Sequence, residues 1–426
     1  MFKLRGLWLD ANFRRLWVGR VTSLFATELS YVVLPLIAIV FLHATPIQMG
    51  VIGAMQGVPA IAGIFLGVWV DRRTRGPILV MVDYGRVVLL AAVPVAYLFD
   101  VLSIELLYFV ALGMGAMSML FEIAYRSFMP NVVRRRGLIE ANSKLELANS
   151  GAVAVGPGIG GALVEIMAAP FALIASIIGF LISAVMYKSI RVTEVVAPRT
   201  QDADGKNESV LRGIRNGFSF FRKSKALVGT SAAAATMMLF GTAYDTIYIL
   251  YLVRNLDFTE GMIGLVFSFG AIGLLGASFV SSWLTDHIGV GKTLILGFVF
   301  MGIGGFIVPF AEGSLMVLFA TIVIAEIVFL LGIVIWNIGQ VSLRQAVTPD
   351  AMLGRVTSIQ IVTVRAVLPI GAMTGGFLGE LMGLRGAMFL FAGGLAAGGV
   401  WLLLLGVWKI RELPEAAHGD EAAEQV

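Results

Sequence analysis

The chain has 426 residues, of which 58% are hydrophobic and 14% charged, against about 25% charged in a soluble domain. With a mean hydropathy of +0.91, it cannot present a water-compatible surface, and twelve apolar runs of roughly 20 residues leave no room for a separate catalytic domain. The formal charge of +4 is spread over the loops of one side, which reads as an orientation signal and not as a nucleic-acid footprint. Cysteine is absent, which excludes disulfides, thiolate metal sites and cysteine nucleophiles. The three histidines, His43, His287 and His418, fall in loops or the tail, so any buried proton carrier is a carboxylate. No metal or other cofactor is expected, and no enzymatic activity.

In chain order, Met1-Phe-Lys-Leu-Arg5 is basic, but the apolar run after it continues to about Leu42 with no small-residue cleavage site. That is too long for a signal peptide, so it is expected to remain as the first span. The predicted spans are 15–41, 47–70, 78–99, 104–126, 144–167, 171–188, 227–253, 261–284, 293–311, 315–340, 356–381 and 386–408. Residues 1–188 form an N-terminal six-helix half, 189–226 a linker, 227–411 a C-terminal six-helix half and 412–426 an acidic disordered tail. In the linker, Val210, Leu211, Ile214, Phe218 and Phe221 recur near helical period with arginines and Lys223 between them, which predicts an amphipathic helix on the membrane surface. Arginine and lysine concentrate in alternate loops, with little but Arg254 and Arg385 opposite. The positive-inside rule places both termini in the cytoplasm.

The two halves resemble each other at a constant offset. Asp71 and Asp286, Leu138 and Leu353, Gly160 and Gly375, and Glu165 and Glu380 are each 215 residues apart. Two related six-span halves are the signature of a rocking secondary transporter whose site lies near midplane. The fold class expected is all-α, twelve transmembrane helices in two pseudo-symmetric halves. Most of the 50 glycines are expected to serve close helix packing.

Four runs carry a family resemblance. Gly67-Val-Trp-Val-Asp71-Arg72-Arg-Thr-Arg75 resembles the loop motif between spans two and three of the major facilitator superfamily. Gly156-Pro157-Gly-Ile-Gly160-Gly161 resembles the span-five motif of that superfamily's antiporters. Thr348-Pro-Asp-Ala-Met-Leu-Gly-Arg-Val356, with Asn12-Phe-Arg-Arg-Leu-Trp17, is similar to its drug and siderophore exporter branch, which includes enterobactin exporters and macrolide efflux proteins. The resemblance spans essentially the whole chain. It departs at Glu28, where relatives usually show aspartate, and at Phe109, where many drug antiporters have an arginine. It implies that Gly67, Asp71, Arg72, Arg75, Asp83, Arg86 and Asp286 form a gate stabilising the outward-facing state. Physically, Asp71 can sit at the positive N-terminal end of another helix, expected to be that of span eleven, and Asp83 and Arg86, one turn apart, can pair.

Ionised side chains in the bilayer centre cost about 2.5–3.5 kcal/mol on insertion scales, so each invites a functional reading. Glu28, Glu122, Asp245 and Glu326 fall on spans one, four, seven and ten, the helices that line the cavity in this fold. They are candidates for proton coupling or substrate contact, with Arg365, a cation about ten residues into span eleven, beside them as a candidate. The alternative for each acid is a structural ion pair with Arg20, Arg126 or Arg365, and for Glu122 and Arg126 that reading is preferred. Tyr31, Tyr248, Trp336, Asn337 and Gln340 are candidate cavity residues, with ordinary packing as the alternative. The function expected is a monomeric, proton-coupled antiporter of the inner membrane that exports an amphipathic small molecule, with protons and membrane lipids as its other partners. The rivals are an uptake carrier or lipid flippase of the same fold and a non-transporting receptor.

Overall fold

The computed structural model describes residues 6–133, 137–192, 194 and 218–412, with the side chains of 64, 65, 68, 71, 272, 273, 275, 278, 350 and 351 left aside. The side chain of Asp71, residues 210–217 of the expected amphipathic helix and the tail from 413 therefore lie outside the described residues.

The described chain is helical. Its α-helices are α1 (Ala11–Leu36), α2 (Pro46–Gly57), α3 (Gly63–Asp71), α4 (Arg75–Leu98), α5 (Ile104–Val132), α6 (Leu138–Ile166), α7 (Ala169–Lys188) and α8 (Lys225–Asn255). They continue with α9 (Glu260–Gly270), α10 (Ile272–Ile288), α11 (Val290–Phe310), α12 (Leu315–Val347), α13 (Asp350–Arg365), α14 (Leu368–Met382), α15 (Leu384–Ala397) and α16 (Val400–Leu404). Ten spans among the described residues are continuous enough to cross a membrane by length and apolarity. Spans eleven and twelve, counted among these ten, are each divided at a short turn, between α13 and α14 and between α15 and α16, and the other two expected spans, two and eight, are divided into shorter helices.

These two spans are repeat partners, and each breaks midway. Span two breaks at the 3-10 turn Val58–Ala60, where Pro59 cannot donate a backbone hydrogen bond. Span eight breaks at Ala271, between α9 and α10. Several helices outrun their apolar runs: α5 reaches Val132, α12 reaches Val347, and α6 and α13 begin at Leu138 and Asp350. Hydropathy ends where lipid ends, but a helix continues until a cap or a proline stops it.

Local chemistry sets the helix starts. The Asp10 carboxylate accepts from the N–H groups of Asn12 and Phe13 at 2.8 and 3.3 Å and so caps α1. Thr45 and Gln48 exchange bonds as a capping box ahead of α2. At the start of α4 the Glu194 carboxylate accepts from Arg75 N–H at 2.6 Å and Gly76 N–H at 2.8 Å. The residues 215 further on are held differently: Val290 N–H and Gly291 N–H donate to the carbonyls of Arg411 and Ile410 at 3.2 and 2.9 Å.

The chain divides into two compact units. One comprises Met1–Pro198 and Leu252–Ser268, the other Arg199–Tyr251 and Phe269–Val426. In the first, α1 packs on α6 and α7, and α4 on α5 and α7, around Phe13, Leu16, Leu79, Phe121, Phe128 and Tyr187. In the second, α11 packs on α12 and α15, around Leu294, Phe298, Met301, Trp336 and Leu402. The division does not fall at the linker alone, because the end of span seven and the start of span eight pack with the first unit.

Candidate functional site

The glycine-proline run of α6 forms a two-sided seam. On one face, a Cβ at Gly156 would lie 2.7 Å from the Cβ of Glu28, and one at Gly160 would lie 3.4 Å from the Leu29 carbonyl oxygen. On the other, a Cβ at Gly161 would strike the backbone of Glu260 and Gly264, while one at Gly264 would lie 2.6 Å from the Pro157 carbonyl oxygen. Span five thus lies between span one and the first part of span eight, with room for a methyl group at Gly160 but none at Gly156 or Gly161 without a shift of its neighbours. The second unit repeats half of this arrangement. A Cβ at Gly371, the partner of Gly156, would lie 2.6 Å from the Leu239 carbonyl oxygen, and one at Gly375, the partner of Gly160, would strike Ala243 of α8.

Of the four membrane acids, Glu28 is partly buried on α1 against this seam. Glu122 is ion-paired twice: its carboxylate accepts from Arg126 Nε at 2.8 Å and from Arg20 Nη2 at 3.3 Å, matching the structural alternative. Arg20 also lies over the Tyr125 ring, 4.4 Å from its centroid.

In the second unit Glu326 is buried and accepts a hydrogen bond from the Tyr248 hydroxyl at 3.1 Å. Its stem abuts Gly270, the last residue of α9, where any side chain would collide with it. The break in span eight is therefore seated on Glu326. Tyr244 stacks on Tyr248 with 5.6 Å between centroids and donates to the Gly305 carbonyl at 3.1 Å. Asp245, between these tyrosines in sequence, is exposed on α8. The arrangement places two carboxylates, Asp245 on α8 and buried Glu326 on α12, along a tyrosine-lined stretch, groups that can take up a proton or hold a cationic group.

The remaining candidates are dispersed. Tyr31 and Asn337 are exposed, Gln340 is buried, and Arg365 is partly buried at the end of α13, where that helix gives way to α14. Trp336 is 1% exposed and packs edge-on to Phe298 at 4.7 Å in the apolar core. In the loop motif, Arg72 and Asp286 are exposed, Arg75 is buried, and a Cβ at Gly67 would meet nothing within 4 Å. Asp83 and Arg86 do pair, at 3.2 Å, and both are buried. Arg86 also reaches the hydroxyls of Ser23 and Ser118 at 3.2 Å each and lies over the Phe121 and Phe180 rings.

Sequence reasoning missed Glu194 and Tyr244. Nothing in local spacing connects residue 194 to residue 75; the available signal was that the first N–H groups of α4 need an acceptor.

Paired six-span halves, with close glycine seams at the matching spans five and eleven, define a secondary membrane transporter. The family model of the Major Facilitator Superfamily matches residues 16–249 and 230–425, and the chain belongs to that superfamily. It is similar to the enterobactin exporter EntS of Escherichia coli strain K12, 24% identical over 418 residues that cover 97% of this chain and 94% of that one. Among solved structures it shares its fold with an inward-facing bacterial homologue of the iron transporter ferroportin (TM-score 0.72, 16% identity, 94% and 99% of the two chains). It also shares it with the nucleoside transporter NupG (TM-score 0.66, 14% identity, 93% and 99%).

Proposed function

We propose that the protein is a proton-coupled antiporter that exports an amphipathic small molecule by alternating access. It would lie in the cytoplasmic membrane with both termini inside, acting as a monomer. The observation that carries this reading is buried Glu326, held by the Tyr248 hydroxyl beside the break in span eight, with Asp245 one turn before Tyr248 on α8. A carboxylate seated on a helix joint couples occupancy of that carboxylate, by a proton or by a cationic ligand group, to the path of the helix. Glu28, against the seam of spans one and five, is the corresponding acid of the first half. Similarity to an enterobactin exporter supports export and directs the first substrate test to enterobactin.

The test is tracer flux in oriented proteoliposomes under an imposed pH gradient, with enterobactin and ethidium as probes. Accumulation of either probe on the acidic side, abolished by an uncoupler, is the expected result. Downhill flux indifferent to the gradient would overturn proton coupling. Gradient-driven movement in the opposite direction would make the protein an uptake carrier.

A further inference from the structure

The two halves differ most where Asp83 and Arg86 lie. At their repeat positions the second unit has Phe298 and Met301, both fully buried, so an ion pair in one core answers an apolar pair in the other. Around the ion pair, Arg86 Nε, Tyr187 OH and Tyr125 OH are buried with no hydrogen-bond partner among the described residues, and Ser183 Oγ and Asp83 Oδ2 have none but each other. They form one cluster. Ser183 lies beside the Asp83 carboxylate, and Tyr187 is close enough to Asp83, Arg86 and Tyr125 to feel their charges. The rings of Tyr125 and Tyr187 both rest on Phe121, with centroids 5.9 and 5.8 Å away. Tyr125, Asp83, Arg86, Tyr187 and Ser183 are all more than nine-tenths buried.

Buried polar groups in folded proteins are paired with protein or with ordered water, and water in such sites makes about three hydrogen bonds. The free atoms here supply donors from the guanidinium and the hydroxyls and acceptors from the carboxylate and the same hydroxyls. That mixture suits a neutral ligand that both donates and accepts. A bare cation is disfavoured, because Arg86 and Arg20 both face the cluster. We propose that the first unit holds a buried cluster of ordered waters between α4, α5 and α7, bound by Asp83, Arg86, Ser183, Tyr125 and Tyr187, and that the second unit has no counterpart. Near the pair Arg20 and Glu122, which is partly exposed, this water lets solvent exchange reach the ion pair and lets the first half repack by exchanging water bonds.

X-ray radiolytic labelling read by mass spectrometry, on the full chain in nanodiscs, tests this, because hydroxyl radicals form from bound water next to the side chains that hold it. Tyr125 and Tyr187, 6% and 2% exposed, should be labelled several-fold faster than Trp336, 1% exposed and packed on Phe298 at the repeat position of Phe121. Labelling of both tyrosines no faster than Trp336, although tryptophan is intrinsically the more reactive, would overturn the proposal. A Ser183→Val, Tyr187→Phe variant that folds should lose several-fold of the Tyr125 labelling. Unchanged Tyr125 labelling in that variant would equally overturn it.

Discussion

Gly156 of span five and Glu28 of span one meet without space for a methyl group: a Cβ at the glycine would lie 2.7 Å from that of the glutamate. The glycine-proline run is thus in direct contact with an intramembrane acid, and a change in one helix is felt by the other.

Substitutions along the seam should therefore be graded by what a new Cβ meets. Gly160→Ala enters ordinary contact at 3.4 Å, whereas Gly161→Ala strikes backbone, and overpacking of that kind costs about 1–3 kcal/mol. Gly160→Ala should keep near-normal flux and thermal stability, while Gly161→Ala and Gly156→Leu should lower both or leak protons. Equal behaviour of the three variants would make the motif generic packing.

Glu28→Gln and Asp245→Asn keep shape but abolish titration. In a coupling role, each should leave downhill exchange measurable while pH-gradient-driven accumulation collapses. Loss of expression or melting temperature alone would assign the residue to structure. Stable variants that still concentrate substrate would transfer the coupling role to Glu326.

Arg86→Met leaves Asp83, 0% exposed, without its partner, a change that typically costs about 3–5 kcal/mol. Supplying the residues of the second half at both positions, Asp83→Phe with Arg86→Met, should recover part of that loss. A double-mutant cycle by thermal denaturation measures the coupling. Additive losses would show that the pair is not energetically linked.

Glu194→Ala removes the acceptor of two N–H groups at the start of α4, and loss of a side-chain cap costs about 0.5–2 kcal/mol. Amide exchange at Gly76 should accelerate while that at Gly291, capped by main-chain carbonyls, stays unchanged. Glu194→Asp should show an intermediate rate. Unaltered exchange at Gly76 would remove Glu194 from the cap.

Legibility in the sequence followed the range of the interaction. The Asp83–Arg86 and Glu122–Arg126 pairs were readable because three- and four-residue spacings define one helix face. The Arg20–Glu122 bond, the Tyr248–Glu326 bond and the Glu194 cap join residues 102, 78 and 119 positions apart, and spacing holds no information about them. Trp336 shows the same limit. An aromatic on a cavity-lining span looks like a pocket residue until the rotation of its helix places it against Phe298.

By itself the sequence determined that this is a membrane protein of two related six-span halves, because lipid imposes a long apolar run on every crossing and a duplicated fold leaves its offset in the residues. It also located the glycine runs at which helices approach closely. Only the tertiary structure decided that spans two and eight break and that span five is held between span one and the start of span eight. It decided too that Glu122 is tied up in ion pairs while Glu326 sits on a helix joint, because those outcomes depend on helix rotation and on partners far away in the chain.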